Sequence, residues 1–230
     1  MDPYSPTHVV MILVFVAGLG PALVLGRRQR RTHDLRLSRS LALVIPVVTV
    51  PFQVIDLATN FDIDVTLPLH LCDLAWVAAS VALWTHHRYA VALTYFWGLV
   101  LTTQGILTPS LGEDFPEVRF FAYWALHLLI VWTAVYLVWG LGLAPAWRDY
   151  GVALGATLLW AVTVYTFNEV ADTNYGYLQR KPSNGSILDL LGPWPWYVVA
   201  EIAIVAVVWA LMTWPWVRAS RSQGPRVSRR

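Results

Sequence analysis

Cysteine occurs only once in this sequence, at Cys72, and this scarcity excludes an internal disulfide framework. Charged residues are also scarce: they make up 13 % of the 230 residues, against about 25 % in an ordinary soluble domain. Hydrophobic residues amount to 57 % and occur in long blocks that no soluble core of this size could bury. The composition therefore indicates an integral membrane protein.

Seven apolar blocks approach or exceed the roughly 18 residues that a membrane-spanning helix needs. They predict an all-α polytopic protein, with one seven-helix transmembrane domain over residues 1–217 and a basic tail over 218–230. The long loop 168–194 ends in the apolar, proline-broken stretch LLGPWPW, which predicts a short helix lying in the membrane interface. The predicted spans are 8–26, 41–59, 67–84, 89–107, 120–140, 150–167 and 195–214.

Basic residues segregate to one side of this predicted topology. When the loops are assigned to alternate sides, 13 of the 16 Lys and Arg residues fall on the side of the carboxyl terminus. Basic loops stay preferentially in the cytoplasm, so we expect an outside amino terminus, a cytoplasmic carboxyl terminus and a location in the cell membrane. The arginine-rich segment 27–39 is a short connection between spans, and we therefore expect no nucleic-acid partner.

Polar and ionisable residues of six predicted spans fall into one layer in the outer part of the membrane. Those of five spans lie roughly 5 to 10 Å below the outer helix ends at about 1.5 Å per residue, and Asn168 and Glu169 lie at the outer end of the sixth span. Ionisable side chains inside spans usually face the bundle interior or a watery cavity. The layer therefore predicts one polar pocket that opens outward, and the alternative is a set of separate interhelical hydrogen bonds. The members of the layer are Asp56, His70, Cys72, Asp73, Gln104, His127, Asn168 and Glu201.

The stretch LPLHLCDLA, residues 67–75, places three reactive side chains within four positions. Successive residues of a helix turn by about 100°, so His70 and Asp73 are near neighbours, whereas Cys72 points roughly 200° away from His70. If Cys72 is a nucleophile, a base on another helix is therefore in a better position to accept its proton. His127 lies at a similar depth to Cys72 and could be this base. The non-catalytic alternatives are that Cys72 only packs against neighbouring side chains and that His127 only hydrogen-bonds a neighbouring helix.

Three stretches, LPLHLCDLA, GILTPSL to HLLIV, and NYGYLQRKPSNGSILDLLGPWPWY, resemble the YwaF-like bacterial integral membrane proteins over approximately residues 45–200. That family is similar to a eukaryotic multi-pass acyltransferase that remodels ether phospholipids. Such an enzyme forms an acyl thioester on a membrane cysteine with help from a histidine on a later helix. The resemblance implies that Cys72 is this cysteine and that His127 is this histidine.

The leading hypothesis is a lipid acyltransferase or acyl hydrolase that acts on phospholipids or other acyl lipids and needs no cofactor. In it, Cys72 attacks the acyl ester while His127 accepts the thiol proton, and neighbouring polar groups donate to the oxyanion. Arg180 and Lys181 hold the lipid phosphate. The catalytic candidates are Cys72, His127, His70 and Asp73, the last orienting His70; the substrate-binding candidates are Gln104, Asn168, Arg180, Lys181, Glu201 and Asp56.

Three other functions stay open on the sequence alone. A transporter or ion pathway would use the intramembrane acids and histidines, although the inner halves of the spans contain little polar lining. A zinc-dependent intramembrane hydrolase would use His70, Asp73, His127 and Glu201 as ligands, although no metal-binding spacing is present. A structural or assembly protein would need no chemistry at all.

Overall fold

The computed structural model describes residues 4–109, 111–182 and 187–222 of the chain. Within these ranges the regular structure is entirely helical, as the sequence predicts, and six of its long helices are apolar and long enough to cross a membrane. A further helix, α3, is apolar but shorter. These six helices and α3 are α1 (Pro6–Thr32), α2 (Arg36–Thr59), α3 (Leu71–Thr85), α4 (Arg88–Leu107), α5 (Val118–Gly140), α6 (Trp147–Ala171) and α7 (Trp196–Ser222).

The third helix corrects the predicted span 67–84. It contains 15 residues and rises about 22 Å, less than the roughly 30 Å of a hydrocarbon core. The preceding residues are not helical because their backbone groups bond elsewhere: the N–H of Leu67 donates to the Tyr175 hydroxyl (2.9 Å), and the indole of Trp160 donates to the carbonyl of Leu69 (3.0 Å). Hydropathy alone cannot distinguish a non-helical apolar segment, whose backbone groups find partners elsewhere in the protein, from a helix.

A very close helix crossing joins α1 to α5. A Cβ added at Gly26 would lie 2.7 Å from the Cα of Gly140, a distance that real Cβ atoms essentially never reach, so this crossing requires glycine. Gly140 ends a π-helical turn, Tyr136–Gly140, that closes α5. Nearby, the Gln29 side chain accepts a hydrogen bond from the Tyr136 hydroxyl and donates one to Ser38 (3.1 Å).

We call the end of the bundle at which α1 begins the upper end, and the opposite end the lower end. At the lower end, Arg88 makes a bidentate ion pair with the buried carboxylate of Asp149 (2.8 and 3.0 Å), which joins the start of α4 to the start of α6. The lower part of α3 presents the buried small residues Ala75, Ala79 and Ala82, which let neighbouring helices approach closely. The lower end is therefore tightly packed.

The loop and tail boundaries also differ from prediction. Helix α6 continues to Ala171, so the long loop begins later than residue 168. This loop contains two short 3₁₀ helices, Tyr175–Tyr177 and Ile187–Leu191; the second falls where the sequence predicts an interfacial helix, while residues 183–186 lie outside the described ranges. Helix α7 continues to Ser222 and so includes the start of the predicted tail 218–230, whose last eight residues are likewise not described.

Candidate functional site

A cavity of about 1520 Å³ occupies the upper part of the bundle. Its lining includes His70, Leu71, Cys72 and Asp73, where α3 begins. The volume exceeds the roughly 300–1,000 Å³ typical of sites for drug-sized molecules. All but one of the ten predicted site residues line it: Asp56, His70, Cys72, Asp73, Gln104, His127, Arg180, Lys181 and Glu201.

Cys72 lies in the first turn of α3, where the helix meets the cavity. Its side chain is a free thiol and is partly buried. The Sγ atom is 4.0 Å from the hydroxyl oxygen of Thr102, the last residue of a π-helical segment in α4, Trp97–Thr102. Backbone N–H groups at the start of a helix have no partner within that helix, so the thiol sits among donors that favour negative charge.

His127 is buried on α5, and its tautomer follows from its hydrogen bond. The Nδ1 atom is 2.7 Å from the carbonyl oxygen of Tyr123, and since a carbonyl can only accept, Nδ1 carries the proton. In the neutral ring, Nε2 is then the acceptor. The ring of Tyr123 stacks on the imidazole with centroids 4.0 Å apart. A Cβ added at Gly105 would lie 2.7 Å from Nε2, so this glycine makes room for the imidazole.

Both groups are anchored on the same stretch of α4. Cys72 contacts Thr102 and His127 packs on Gly105, three residues further along, which corresponds to a rise of about 4.5 Å. In the described part of the chain no hydrogen bond joins the thiol directly to the imidazole. Thr102 and Gly105 are not among the site residues predicted from the sequence, although they lie in the run TTQG, which is unusually polar for a span.

His70 and Asp73 do not form the pair that the sequence predicts. His70 is the residue before α3, not part of the helix, so the angular relation of a regular helix does not apply. The carboxylate of Asp73 accepts a hydrogen bond from the backbone N–H of His70 (2.9 Å). Asp73 therefore caps the helix and does not orient the imidazole, whose ring packs against Tyr175 instead (centroids 4.9 Å apart).

Tyr175, from the distinctive NYGY motif, supports the segment that leads into His70. It is fully buried, and its hydroxyl donates to the carbonyl of Ile63 (2.8 Å) while accepting from the N–H of Leu67 (2.9 Å). Burial raises the pKa of Tyr175, which keeps the hydroxyl protonated and able to donate. Gly176 follows with φ +68°, and a Cβ there would lie 2.6 Å from the Trp160 ring, so this position needs glycine.

Asn168, predicted to bind substrate, lies outside the cavity lining and has a structural role. Its side-chain oxygen accepts from the Thr173 hydroxyl (2.8 Å) and from the N–H of Tyr175 (2.9 Å). Its amide nitrogen donates to the carbonyl of Tyr175 (2.9 Å). The side chain is completely buried, and it holds Tyr175 at the end of α6.

We expect Asn168→Ala to destabilise the protein, because three buried hydrogen-bonding groups lose their partner. Each such group costs about 1–3 kcal/mol, so the free energy of unfolding should fall by at least about 2 kcal/mol. Thermal unfolding in detergent measures the effect. Asn60→Ala is the matched control, since Asn60 is exposed and its amide contacts only Thr59 and Asp56. Equal melting temperatures for the two variants would contradict this role.

Asp56 lines the cavity but is engaged in an ion pair. Its Oδ1 atom accepts from both Nε (2.9 Å) and Nη2 (2.6 Å) of Arg119. A second carboxylate, that of Glu113, accepts from Nη1 of the same arginine (3.1 Å). This cluster joins the upper ends of α2 and α5 at the cavity wall. Asp56 is thus a cavity-wall residue that already has a cationic partner, and its predicted role in substrate binding stays a prediction.

The other predicted substrate-binding residues line the cavity, and some of their polar side chains have no partner among the described residues. Among the described residues, the side chains of Gln104 and Glu201 have no hydrogen-bond partner. Arg180 is exposed, and its backbone N–H is held by Asn174 (3.0 Å). Lys181 lies 3.7 Å from the carboxylate of Asp189. The cavity therefore carries two cationic groups near its upper rim and one unpaired carboxylate on α7.

A zinc site finds no support in the described residues. Residues 4–109, 111–182 and 187–222 contain no group of three or more His, Cys, Asp or Glu side chains arranged to hold a metal ion. His70, Asp73, His127 and Glu201 share the cavity lining without forming such a group.

An all-helical bundle with six long apolar helices and a large amphipathic cavity defines a multi-pass membrane protein. The chain belongs to the TMEM164 family, whose model matches residues 3–213. No curated protein and no solved structure matches the chain significantly. The family match confirms the predicted multi-pass membrane class over nearly the whole chain, whereas the resemblance to YwaF-like proteins and to an acyltransferase stays a prediction.

Proposed function

We propose that this protein is a membrane acyltransferase or acyl hydrolase that carries the acyl group as a thioester on Cys72. The observation that carries the proposal is the arrangement around α4. A free thiol in the first turn of a short helix and a histidine with an accepting Nε2 face one cavity and are anchored about one turn apart. A nucleophile with a base on a separate element is the minimum that covalent acyl transfer requires.

In the first half-reaction, Nε2 of His127 accepts the thiol proton and the Cys72 sulfur attacks the ester carbonyl. The ester C–O bond breaks, the acyl group becomes a thioester, and His127 returns the proton to the leaving alkoxide, which departs as a lysolipid alcohol. In the second half-reaction, a hydroxyl of an acceptor lipid, or water, attacks the thioester and gives its proton to His127. That proton restores the thiol, so the cycle consumes nothing beyond donor and acceptor.

The first turn of α3 supplies the electrostatic part of this mechanism. The backbone N–H groups of Leu71 and Cys72 have no partner within the helix and, together with the helix dipole, favour the negative charge of a tetrahedral oxyanion. Asp73 is a positioning residue that fixes this turn by capping it. Gln104 and His70, which line the cavity with free polar groups, are additional donors to the same oxyanion.

The upper rim of the cavity fits a phospholipid headgroup. Arg180 and Lys181 provide positive charge for a phosphate, and Glu201 provides a carboxylate deeper on α7. The segregation of arginines to the lower end makes that end cytoplasmic. In this orientation the amino terminus and the cavity mouth lie on the extracytoplasmic side of the cell membrane, and the substrates are membrane phospholipids or other acyl lipids.

A thiol-reactive alkyl probe tests whether His127 activates Cys72. We expect His127→Ala to slow labelling of Cys72 at neutral pH by about 10²-fold or more, the usual contribution of a general base. Raising the pH should recover labelling in this variant, because hydroxide then removes the thiol proton. Gly105→Ala should also slow labelling, since its Cβ would lie 2.7 Å from Nε2. The rate is measured by mass spectrometry of the labelled protein.

His87→Ala is the matched control, because this exposed histidine lies in the turn between α3 and α4 at the lower end. It should label as fast as the wild type. Equal labelling rates for wild type and His127→Ala across the pH range would remove the base from the mechanism. A slow His127→Ala rate with no recovery at high pH would indicate a packing role for this residue instead.

A further inference from the structure

The cavity continues below Cys72 into an apolar compartment between α3, α4, α6 and α7. The thiol is at its upper boundary, and the lining below contains no ionisable side chain among the described residues. Six of the lining residues are Trp76, Leu101, Leu154, Thr157, Val205 and Val208. We call this part of the cavity the lower compartment.

The hydroxyl of the lower compartment, on Thr157, already has two hydrogen-bond partners. The hydroxyl of Thr157 donates to the carbonyl of Ala153 (2.9 Å) and accepts from the indole N–H of Trp97 (2.8 Å). It therefore has little capacity left to bind a polar ligand. An apolar space of this kind is poorly hydrated and favours hydrocarbon.

Next to the lining residues Val100 and Val208, the cavity lining gives way to a buried aromatic pair, which we take as the floor of the lower compartment. Phe96 and Trp209 are both fully buried, with ring centroids 5.0 Å apart, and they join α4 to α7. Counted from the lower helix ends at 1.5 Å per residue, Cys72 lies about 20 Å up α3 and Phe96 about 12 Å up α4. The distance from thiol to floor is therefore about 8 Å. At about 1.2 Å per bond in an extended chain, this depth holds roughly six or seven carbons.

Three side chains of the cavity wall formed by α6 and α7 are only partly buried. Leu158 on α6 and Ile202 and Ile204 on α7 line the cavity, yet they are 39 %, 38 % and 49 % exposed. These helices lie where the hydrocarbon of a bilayer would surround them. This wall is therefore where a lipid chain would pass between the bilayer and the cavity without crossing the polar rim.

From these features we infer that the lower compartment binds the carbonyl-proximal segment of the acyl chain carried on Cys72, and that its floor sets how many carbons are held. This inference rests on the proposed function. The remainder of a longer chain leaves between α6 and α7 into the bilayer. Val208 and Leu154, next to the floor, then determine which acyl chains are accepted.

A series of thiol-reactive alkyl probes of two to twelve carbons tests the inference. In the wild type, the labelling rate of Cys72 should rise by about fourfold per methylene and level off near roughly six to eight carbons. Val208→Phe fills the compartment, so its rates should level off at shorter probes. Val207→Phe is the matched control, because Val207 is 59 % exposed and is not part of the cavity lining. At each probe length, the labelling rate of Val208→Phe is divided by that of Val207→Phe, which removes the effect of probe partition into detergent.

Each result decides a separate question. A ratio that stays constant over all probe lengths would overturn the acyl-chain compartment while leaving the thioester proposal standing. Failure of every probe to label wild-type Cys72 would overturn both. If Val208→Phe does not fold, Val208→Ala replaces it; this variant enlarges the space and should shift the levelling-off to longer probes, and an unchanged profile would again overturn the inference.

Discussion

Cys72→Ala should abolish acyl exchange between phospholipids in liposomes that contain the purified protein. The thiol is the only nucleophile that can hold the acyl group in the proposed cycle, and loss of a covalent nucleophile lowers turnover by about 10³-fold or more. Cys72→Ser should keep at most a small residual rate, because a hydroxyl is a much weaker nucleophile than a thiol at the same position. Mass spectrometry of the exchanged lipids measures the rate.

Ser80→Ala is the matched control for this experiment. Ser80 lies on the same helix, and its hydroxyl bonds only to the carbonyl of Trp76 within α3 (2.9 Å), so exchange should proceed at the wild-type rate. Full exchange by Cys72→Ala would rule out the thioester. Ion or solute flux that is lost in Asp73→Asn but retained in Cys72→Ala would favour the transport alternative.

Gly26→Val should strongly destabilise the fold. The Cβ would lie 2.6 Å from the carbonyl oxygen of Tyr136 and 2.7 Å from the Cα of Gly140, and neither backbone atom can move without displacing α5. Overpacking of this kind usually costs about 1–3 kcal/mol, and more when the backbone must shift. Because α5 carries His127, labelling of Cys72 should fall together with the melting temperature in detergent.

Gly20→Val separates this steric effect from the general cost of a β-branched residue in α1. A Cβ at Gly20 meets no heavy atom within 4 Å, so this variant should melt close to the wild type. Equal melting temperatures for Gly26→Val and Gly20→Val would mean that α1 and α5 do not cross in contact at these glycines.

The helical class and the number of helices follow from hydropathy, but the length of α3 does not. Residues 67–70 are as apolar as a span, and nothing local in LPLH indicates that their backbone groups bond to other elements. The partners, Trp160 and Tyr175, lie 91 and 108 positions away from the groups they bond. Long-range hydrogen bonds of this kind leave no periodic signal in the sequence.

The shared depth of the polar residues predicts which of them line one cavity, because depth depends only on helix rise and topology. Depth does not predict which of these residues already have an ion-pair or hydrogen-bond partner within the protein. Asp56 pairs with Arg119, 63 positions away, and Asn168 is satisfied within its own helix end. The expected pairing of His70 with Asp73 was wrong for a related reason, since it assumed a helix that begins only at Leu71.

The dependence of the segment before α3 on distant partners has a consequence for biogenesis. A ribosome delivers Cys72 to the membrane well before it has synthesised Trp160 and Tyr175, which hold that segment in place. The nascent chain therefore carries this segment without its partners until α4, α5 and α6 have been synthesised. The segment before α3 acquires these hydrogen bonds only when α6 and the turn behind it have docked, so this part of the cavity wall is among the last parts of the molecule to form.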